Sequence, residues 1–377
     1  MTQPRILFYV QHLLGIGHLA RASRVASALA ENGFAVTVVT GGTPVAGFPG
    51  LGVTHVALPA VTSGDQGFSG LADLDGNPVD DAFKARRRDM LLSLFAETRP
   101  DIVIIEAFPF GRRQMRFELL PLLDAIASAK PRPRLVTSVR DILQERVKPG
   151  RNEESAELVD RYFDLVMVHG DPGFARLDET FPLAAGFSEK IAYTGLVAGP
   201  EPEPAAENFD VLISAGGGAA GGELARTAVE AAKLLPGSGR WGLITGPNLP
   251  QPEFDAIVAA APESLDIFRF RKDFASLLGG ARLSVSQAGY NTVCDILRAG
   301  CRSLLVPFAA GGETEQEVRA ERLERLGLAS TVSESGLTPE LLARAIEAAL
   351  ARPRPPRHAL DLDGAHKSAQ VLRRLLS

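Results

Sequence analysis

Residues 284–307, SVSQAGYNTVCDILRAGCRSLLVP, decide the fold. A β-branched run ends in a small-residue turn at Gly289, a helix is predicted from about Asn291 to Gly300, and a second apolar run follows. Backbone N–H groups at the start of such a helix bind anions. Asp295, one turn further into the helix, can accept hydrogen bonds from sugar hydroxyls. The stretch therefore predicts half of a nucleotide-sugar pocket.

Composition indicates a globular protein of two domains. The chain has 377 residues, 45% of them hydrophobic, and 40 basic against 45 acidic side chains. This balance gives no basic footprint for nucleic acid. Cys294 and Cys301 match no metal or disulfide framework, so we expect reduced, buried thiols. No apolar run reaches the roughly 20 residues that span a bilayer. A strand begins at once at the N-terminus and leaves no room for a signal peptide, so we expect a cytoplasmic location.

Apolar strands alternate with helices along the whole chain, which is typical of parallel, doubly wound sheets. Residues 198–208, AGPEPEPAAEN, hold three prolines and read as a linker. The predicted fold is α/β with two Rossmann-like domains that face each other across a cleft, and ligands of such sheets bind at the carboxyl ends of the strands. The predicted parts are a first domain, a linker, a second domain, and a Pro-rich break with a last helix that returns to the first domain: 1–197, 198–208, 209–351 and 352–377.

Gly15-Ile-Gly17-His18-Leu-Ala20 follows the first strand and fits the dinucleotide fingerprint G-x-G-x-x-A. That fingerprint needs an acid about 20 residues later to hold the ribose, and no Asp or Glu occurs between Glu31 and Asp65. A nicotinamide cofactor is therefore disfavoured. Gly15 and Gly17 can still let a substrate approach the backbone. His18 is a candidate general base, with a helix cap or surface histidine as the alternative.

Two further features of the first half, Arg21 and Glu106, have two interpretations each, and two others have one. Arg21 either contacts an anion or is a solvated helix residue. Glu106, after a strand, either orients the His18 imidazole or is a solvated loop acid. The cluster of arginines at 86–88 is interpreted as a solvated helix face, and residues 60–80 as a mobile surface loop.

The second half carries its own candidate site. The Gly-rich run of residues 216–222 follows a strand and opens a helix, which suits phosphate binding or a close approach between domains. It lacks the Lys-Ser/Thr ending of a P-loop, which argues against NTP hydrolysis. Glu315 and Gln316 follow a strand end and either favour a helix start or recognise hydroxyls of a transferred sugar.

These residues resemble the C-terminal domain of the MurG-like, family 28, GT-B glycosyltransferases over about 150 residues. The first half is more similar to uncharacterised predicted glycosyltransferases of that superfamily, which share its segments Arg140-Asp-Ile and Tyr193-Thr-Gly. The C-terminal resemblance is carried by five segments in matching order: Ser214-Ala-Gly-Gly-Gly, Phe270-Arg-Lys-Asp-Phe, Ala288-Gly-Tyr-Asn-Thr-Val-Cys-Asp, Val306-Pro-Phe and Glu315-Gln.

The resemblance implies a role for each matching position. Gly216, Gly217 and Gly218 would face the diphosphate. Independently of the resemblance, backbone N–H groups at the Gly289 helix start are expected to stabilise the leaving diphosphate, and Asn291 is a further candidate substrate-binding residue. The backbone at Arg271 would meet uracil, Thr292 a phosphate, Asp295 the ribose, and Glu315 and Gln316 the sugar. Two positions depart from the family, which usually has Glu at 295 and Asn at 319.

The sequence thus predicts an inverting, metal-independent glycosyltransferase that moves a hexosyl or N-acetylhexosaminyl group from a UDP-sugar to an unknown acceptor. His18 would be the base and Glu106 its partner. No cofactor and no metal are expected beside the UDP-sugar. The acceptor is expected to be lipid-linked or a small molecule, with at most peripheral membrane association. Two alternatives remain open: a nucleotide-sugar hydrolase, which the G-x-G-H-x-x-R string also resembles, and a non-catalytic nucleotide-sugar-binding protein.

Overall fold

The computed structural model describes residues 3–13, 17–45, 47–63, 70–144, 148–216 and 221–377. The predicted contacts of Gly15, Gly217 and Gly218 lie outside these residues. The chain divides into two compact units. Unit 1 comprises Met1–Val197 and Leu360–Ser377, and unit 2 comprises Ala198–Ala359.

Unit 1 is built on a seven-stranded sheet whose neighbouring strands are all parallel. Its order, β3-β2-β1-β6-β7-β8-β9, reverses direction beside β1, which is the doubly wound arrangement that the alternating pattern predicted. A separate antiparallel pair, β4 and β5, lies within residues 60–80, where the sequence predicted only a loop. The strands are β1 (Arg5–Val10), β2 (Ala35–Thr40), β3 (Thr54–Ala57), β4 (Thr62–Ser63), β5 (Leu71–Ala72), β6 (Ile102–Glu106), β7 (Arg134–Arg140), β8 (Leu165–His169) and β9 (Ile191–Tyr193).

Helices cover the unit 1 sheet and bury its apolar side chains. The central strands β1 and β6 are almost completely buried, as expected for parallel strands with helices on both faces. Their core includes Tyr9, Ile105, Leu119 and Val166. The helices in this part of the chain are α1 (Gly17–Glu31), α2 (Asp81–Thr98), α3 (Arg116–Ser128), α4 (Arg151–Tyr162) and α5 (Leu177–Thr180), with 3₁₀ turns at Arg113–Met115 and Pro182–Lys190.

One member of the arginine cluster at 86–88 is not solvated, and the sequence interpretation was wrong for it. Arg87 is 0% exposed and makes a two-pronged ion pair with Glu118, with nitrogen–oxygen distances of 2.7 Å. Its guanidinium also donates to Gly41 O at 2.9 Å and to Gln11 Oε1 at 3.0 Å. The hydroxyl of Tyr9 donates to the same carboxylate. A buried cation is stable only with such partners, and the partners come from distant parts of the chain.

Unit 2 repeats the design with a six-stranded parallel sheet of order β12-β11-β10-β13-β14-β15. Its own core includes Ile213, Leu243, Val285 and Leu304. The elements are β10 (Val211–Ser214), α6 (Gly222–Leu234), β11 (Trp241–Ile244), α7 (Gln251–Ala260), β12 (Leu265–Phe268), α8 (Phe274–Gly280), β13 (Leu283–Ser286), α9 (Tyr290–Ala299), β14 (Ser303–Leu305), a 3₁₀ turn (Ala310–Gly312), α10 (Glu315–Arg325), β15 (Ser330–Thr331) and α11 (Pro339–Ala351).

The last helix, α12 (Gly364–Leu376), belongs to unit 1, whereas residues up to Ala359 belong to unit 2. The helix packs on α1. A bridge between Val197 and Asp363 and the guanidinium of Arg373, 4.9 Å from the centre of the Phe34 ring, hold it there. The two cysteines, Cys294 and Cys301, are buried, as expected, and are not joined to each other.

The hydroxyl of Ser284 offers a test of the unit 2 core. Ser284 is completely buried in β13, and its Oγ has no hydrogen-bond partner among the described residues. A buried unsatisfied hydroxyl costs free energy, so Ser284→Ala is expected to raise the free energy of unfolding by about 1 kcal/mol. Thermal or denaturant unfolding measures the change. Ser155, equally buried but bonded to Pro109 O at 2.9 Å, is the control, and Ser155→Ala should not stabilise the protein. If Ser284→Ala is less stable than the wild type, the Ser284 hydroxyl is not an unsatisfied group.

Candidate active site

His18 and Glu106 meet although 88 residues separate them in the chain. Glu106 is the last residue of β6, and His18 is the second residue of α1, which follows the neighbouring strand β1. His18 Nδ1 lies 3.1 Å from Glu106 Oε1. The histidine side chain is 20% exposed and the carboxylate is fully buried. Glu106 is therefore not the solvated loop acid of the alternative interpretation.

Glu106 is held from both of its oxygens. Arg21, from the next turn of α1, donates to Oε1, and Ser138 donates its hydroxyl to Oε2 at 2.6 Å. Arg21 is only 2% exposed, so it is not the solvated helix residue of the second interpretation; a contact between Arg21 and a substrate anion stays a prediction. Arg21 and His18 are three positions apart on one helix face, which lets both reach the same carboxylate.

The charges around this pair favour a neutral imidazole beside an ionised carboxylate. Burial lowers the pKa of His18 to about 3, the nearby charge of Arg112 adds to the effect, and the hydrogen bond to Glu106 opposes it. Burial by itself would raise the pKa of Glu106, but Arg21, His18 and Ser138 outweigh it and hold that pKa well below its usual value. Arg112 has a pKa lowered to about 10, chiefly by burial.

This protonation state gives the pair a definite chemistry. An ionised carboxylate only accepts hydrogen bonds, so a neutral His18 carries its proton on Nδ1 and donates it to Glu106. The lone pair then lies on Nε2, which can remove a proton from a hydroxyl. The carboxylate stabilises the imidazolium that forms, as in other histidine–carboxylate pairs. The arrangement suits a general base.

Further buried polar residues continue behind Glu106, and sequence reasoning missed their role. Ser138 Oγ lies 3.0 Å from His169 Nε2, and His169 Nδ1 lies 2.9 Å from Thr194 Oγ1. Burial lowers the pKa of His169 to about 3. The available signal was a polar residue near or just beyond the carboxyl end of three successive strands: Ser138 within β7, His169 at the end of β8 and Thr194 just after β9.

In unit 2, two helices begin at the same edge of the sheet. Strands β10 and β13 are neighbours, with Ser214 opposite Ser286 at their carboxyl ends. The helices that follow, α6 and α9, have glycine at their N-caps, Gly221 and Gly289, and no side chain caps either one. The first backbone N–H groups of a helix lack internal partners, so each start can donate to an anion.

The amide of Gln287 lies beside Gly216, and the sequence did not single it out as a site residue. Gly216 has a φ of +85°, and a Cβ there would lie 2.6 Å from Gln287 Oε1, so only glycine fits. Gln287 is 9% exposed, and its Nε2 has no hydrogen-bond partner among the described residues. The predicted phosphate contact of Gly216 stays a prediction, with Gln287 as a neighbouring donor.

The predicted donor residues of α9 lie together on that helix. Asn291, Thr292 and Asp295 are all half-buried, and Asp295 lies three and four positions after the other two, on one helix face. The helix ends at Gly300 with φ +59°, as the sequence predicted. Contacts of these residues with phosphate and ribose stay predictions.

Arg271 is held on both sides by carboxylates. Its guanidinium bonds both oxygens of Asp273, at 2.8 and 2.6 Å, and Glu207 at 2.5 Å. The hydrogen bonds that Arg271 donates to Asp273 raise the pKa of Arg271 further above its usual value. The side chain is thus committed within the protein, which is compatible with the predicted use of the backbone at this position.

Glu315 and Gln316 both have partners inside unit 2. Glu315 is buried, and its Oε1 accepts from Arg319 at 2.6 Å, while Arg319 also donates to Ala288 O at 2.9 Å. Gln316 Oε1 accepts from Phe308 N at 3.2 Å. Arg319, where the family usually has Asn, thereby ties α10 to the turn before α9. Recognition of the sugar by Glu315 and Gln316 stays a prediction.

Across residues 3–13, 17–45, 47–63, 70–144, 148–216 and 221–377, no group of three or more His, Cys, Asp or Glu side chains is placed to hold a metal ion. Within the same ranges, no helix is both long and apolar enough to cross a bilayer.

Comparisons with known proteins agree with the fold. The structure matches those of CalG4, the calicheamicin glycosyltransferase (TM-score 0.65, 19% identity, 100% of this chain and 99% of that chain), and of Acinetobacter baumannii MurG (TM-score 0.61, 15% identity, 98% and 100%). Residues 212–369 match the glycosyltransferase family 28 C-terminal domain.

Curated relatives match over shorter lengths. A UDP-N-acetylglucosamine–N-acetylmuramyl-(pentapeptide) pyrophosphoryl-undecaprenol N-acetylglucosamine transferase of Agrobacterium fabrum is 30% identical over 46% of this chain and 49% of its own length. The enzyme of the same name from Gloeobacter violaceus is 36% identical over 27% and 29%. The chain thus spans about half, or less, of the length of these relatives.

The architecture is therefore that of the GT-B glycosyltransferases, as predicted. Within it, residues 212–369 are the part that matches the glycosyltransferase family 28 C-terminal domain.

Proposed function

We propose that this protein is a glycosyltransferase that moves a hexosyl or N-acetylhexosaminyl group from a UDP-sugar to an acceptor hydroxyl, with inversion and without a metal. Unit 2 binds the donor, and His18 of unit 1 removes the proton from the acceptor. The observation that carries the proposal is the pair of uncapped helix starts, α6 and α9, on neighbouring strands of a family 28 domain. They supply backbone donors for the diphosphate, the leaving group of the reaction.

The unit 1 geometry supports the base. His18 is partly exposed, and its ring is fixed by Glu106, which frees Nε2 for the hydroxyl proton. Inversion needs only one displacement, so one base and a stabilised leaving group suffice. Backbone N–H groups stabilise the negative charge that develops on the diphosphate in the transition state. These groups are already oriented by the fold, so no free energy is lost in reorganising them.

Acceptor and location are proposed on the relatives alone. The names of the curated relatives give a pyrophosphoryl-undecaprenol acceptor. By analogy we propose a lipid-linked acceptor, with a small molecule as the second choice, and a cytoplasmic protein with peripheral membrane association. No cofactor beyond the UDP-sugar is proposed.

Incubation with a panel of UDP-sugars tests the function directly. Each donor is supplied alone and with lipid-linked and small-molecule acceptors, and UDP release and free sugar are measured. We expect rapid UDP release only when an acceptor is present, unchanged by EDTA. Stoichiometric free sugar without an acceptor would instead identify a hydrolase, and binding without turnover over the whole panel would identify a nucleotide-sugar-binding protein.

Asp295 provides a test of the donor site. If its carboxylate accepts hydrogen bonds from the ribose hydroxyls, Asp295→Ala should weaken UDP-sugar binding by about 10- to 100-fold, the worth of hydrogen bonds to a charged group. Calorimetric titration with UDP-sugar and with UDP measures the change. Asp255, an exposed carboxylate on α7, is the control, and Asp255→Ala should leave affinity unaltered. Equal affinity of Asp295→Ala and the wild type would remove Asp295 from the site.

A further inference from the structure

The buried residues behind the His18–Glu106 pair form one continuous chain across four neighbouring strands. Glu106 on β6 and Ser138 on β7 are register partners, so their side chains lie side by side. His169 ends β8, and Thr194 follows directly after β9, so each strand in turn contributes one polar group. All four residues are at most 1% exposed. Apolar residues would fill this space at a lower free-energy cost, because every buried polar group needs a hydrogen-bond partner.

The direction of every hydrogen bond in this chain follows from the charge at its end. Ionised Glu106 only accepts, so the single proton of the Ser138 hydroxyl points to Oε2, 2.6 Å away. Ser138 Oγ must then accept from His169 Nε2 at 3.0 Å, which places the proton of His169 on Nε2. His169 Nδ1 is left as an acceptor, and the Thr194 hydroxyl donates to it at 2.9 Å.

We infer that Ser138 and His169 are positioning residues of the active site. They orient the Glu106 carboxylate and keep it ionised, and this carboxylate in turn orients His18. The inference rests on the proposed role of His18 as the base. Neither residue touches substrate. Ser138 supplies the hydrogen bond to Oε2, and His169 forces the Ser138 hydroxyl to donate by occupying its acceptor side. Oε1 then remains for His18 Nδ1–H, and the His18 lone pair remains on Nε2.

Three variants distinguish a positioning role from a packing role. Ser138→Ala removes the hydroxyl, and His169→Leu removes the donor that directs it, so each is expected to lower kcat about tenfold with the KM for UDP-sugar within twofold. His169→Gln keeps an N–H near the position of Nε2 and is expected to recover most of the lost rate. A packing role would give no such recovery. The controls are His55→Gln on the exposed edge of β3 and Ser128→Ala at the exposed end of α3, both of which should match the wild type.

The pH profile gives a second readout. The Ser138 hydrogen bond lowers the pKa of Glu106, so its loss lets Glu106 take up a proton at higher pH. The pKa of Glu106 lies below that of His18, so the acid limb of the kcat profile reports protonation of His18. A carboxylate that has lost the Ser138 bond stabilises the His18 imidazolium more strongly, so this limb should move to higher pH in Ser138→Ala. The other groups that act on Glu106 and His18 are Arg21, Arg112, Arg140 and His169, and all of them remain in this variant.

Nitrogen-15 NMR of the histidine side chains decides the inference without any turnover. The chain has six histidines, and His18→Gln and His169→Gln assign the two that matter. We expect His169 to be protonated at Nε2 and His18 at Nδ1 near neutral pH, with the His18 signals perturbed in Ser138→Ala. His169 protonated at Nδ1, or as an imidazolium, would overturn the inference. So would folded Ser138→Ala and His169→Leu variants with wild-type kcat and acid limb. If the wild type transfers no sugar from any donor, the proposed function fails. The tautomers of His18 and His169 would still support or overturn the inferred hydrogen-bond network.

Discussion

His18→Ala is expected to lower kcat by about 10²- to 10⁴-fold, the usual contribution of a positioned general base. The imidazole has two nitrogens, and Nδ1 is occupied by the hydrogen bond to Glu106. The substitution removes Nε2, the nitrogen that keeps a free lone pair. Donor contacts are proposed on unit 2, so the KM for UDP-sugar should change by less than about threefold. Initial rates of UDP release at saturating acceptor measure both constants.

The matched control for this loss is a histidine with a different environment. His55 lies on the exposed edge strand β3, where Nε2 is 2.8 Å from Thr40 Oγ1, and His55→Ala should retain the full rate. Turnover by His18→Ala at the wild-type rate would show that another group takes the proton. A folded protein is confirmed by circular dichroism, so that lost activity is not lost structure.

Arg87→Met is expected to lower the free energy of unfolding by about 3–5 kcal/mol. The change removes the guanidinium but leaves the Glu118 carboxylate at 0% exposure, next to the buried hydroxyl of Tyr9. An uncompensated buried charge is among the most damaging consequences of a single substitution. The carbonyl of Gly41 loses its donor as well. Urea unfolding, followed by circular dichroism, measures the loss.

Two further variants isolate the cause. Arg88, the next residue along α2, has a side chain 39% exposed and pairs with Asp89, so Arg88→Met should change stability by less than about 0.5 kcal/mol. The double variant Arg87→Met/Glu118→Leu should recover part of the loss, because no buried carboxylate is left without a partner. A single variant Arg87→Met as stable as Arg88→Met would show that the pair contributes nothing.

The local pattern determined much of this protein. Apolar strands alternating with helices predicted two parallel sheets, and helix signals within residues 284–307 placed α9 between Gly289 and Gly300, where the structure has its caps. These features depend on neighbouring residues, since helix starts, turns and strand periodicity are set by the backbone preferences of a few consecutive positions. The residues of α9 that are proposed to bind the donor could be named for the same reason.

Tertiary structure decided which polar residues meet and which are buried. Glu106 had two equal interpretations from the sequence, and only the packing of α1 against the end of β6 brings His18 and Arg21 to it. From the sequence, Arg87 was interpreted as solvated because a charged side chain is buried only when it has partners. Its partner Glu118 lies 31 residues further along the chain, so the local pattern does not reveal the pair. Burial of a charge depends on groups distant in the chain. For that reason the sequence determined the two sheets and the helix starts of this protein, and only the folded chain decided the contact between His18 and Glu106 and the network behind it.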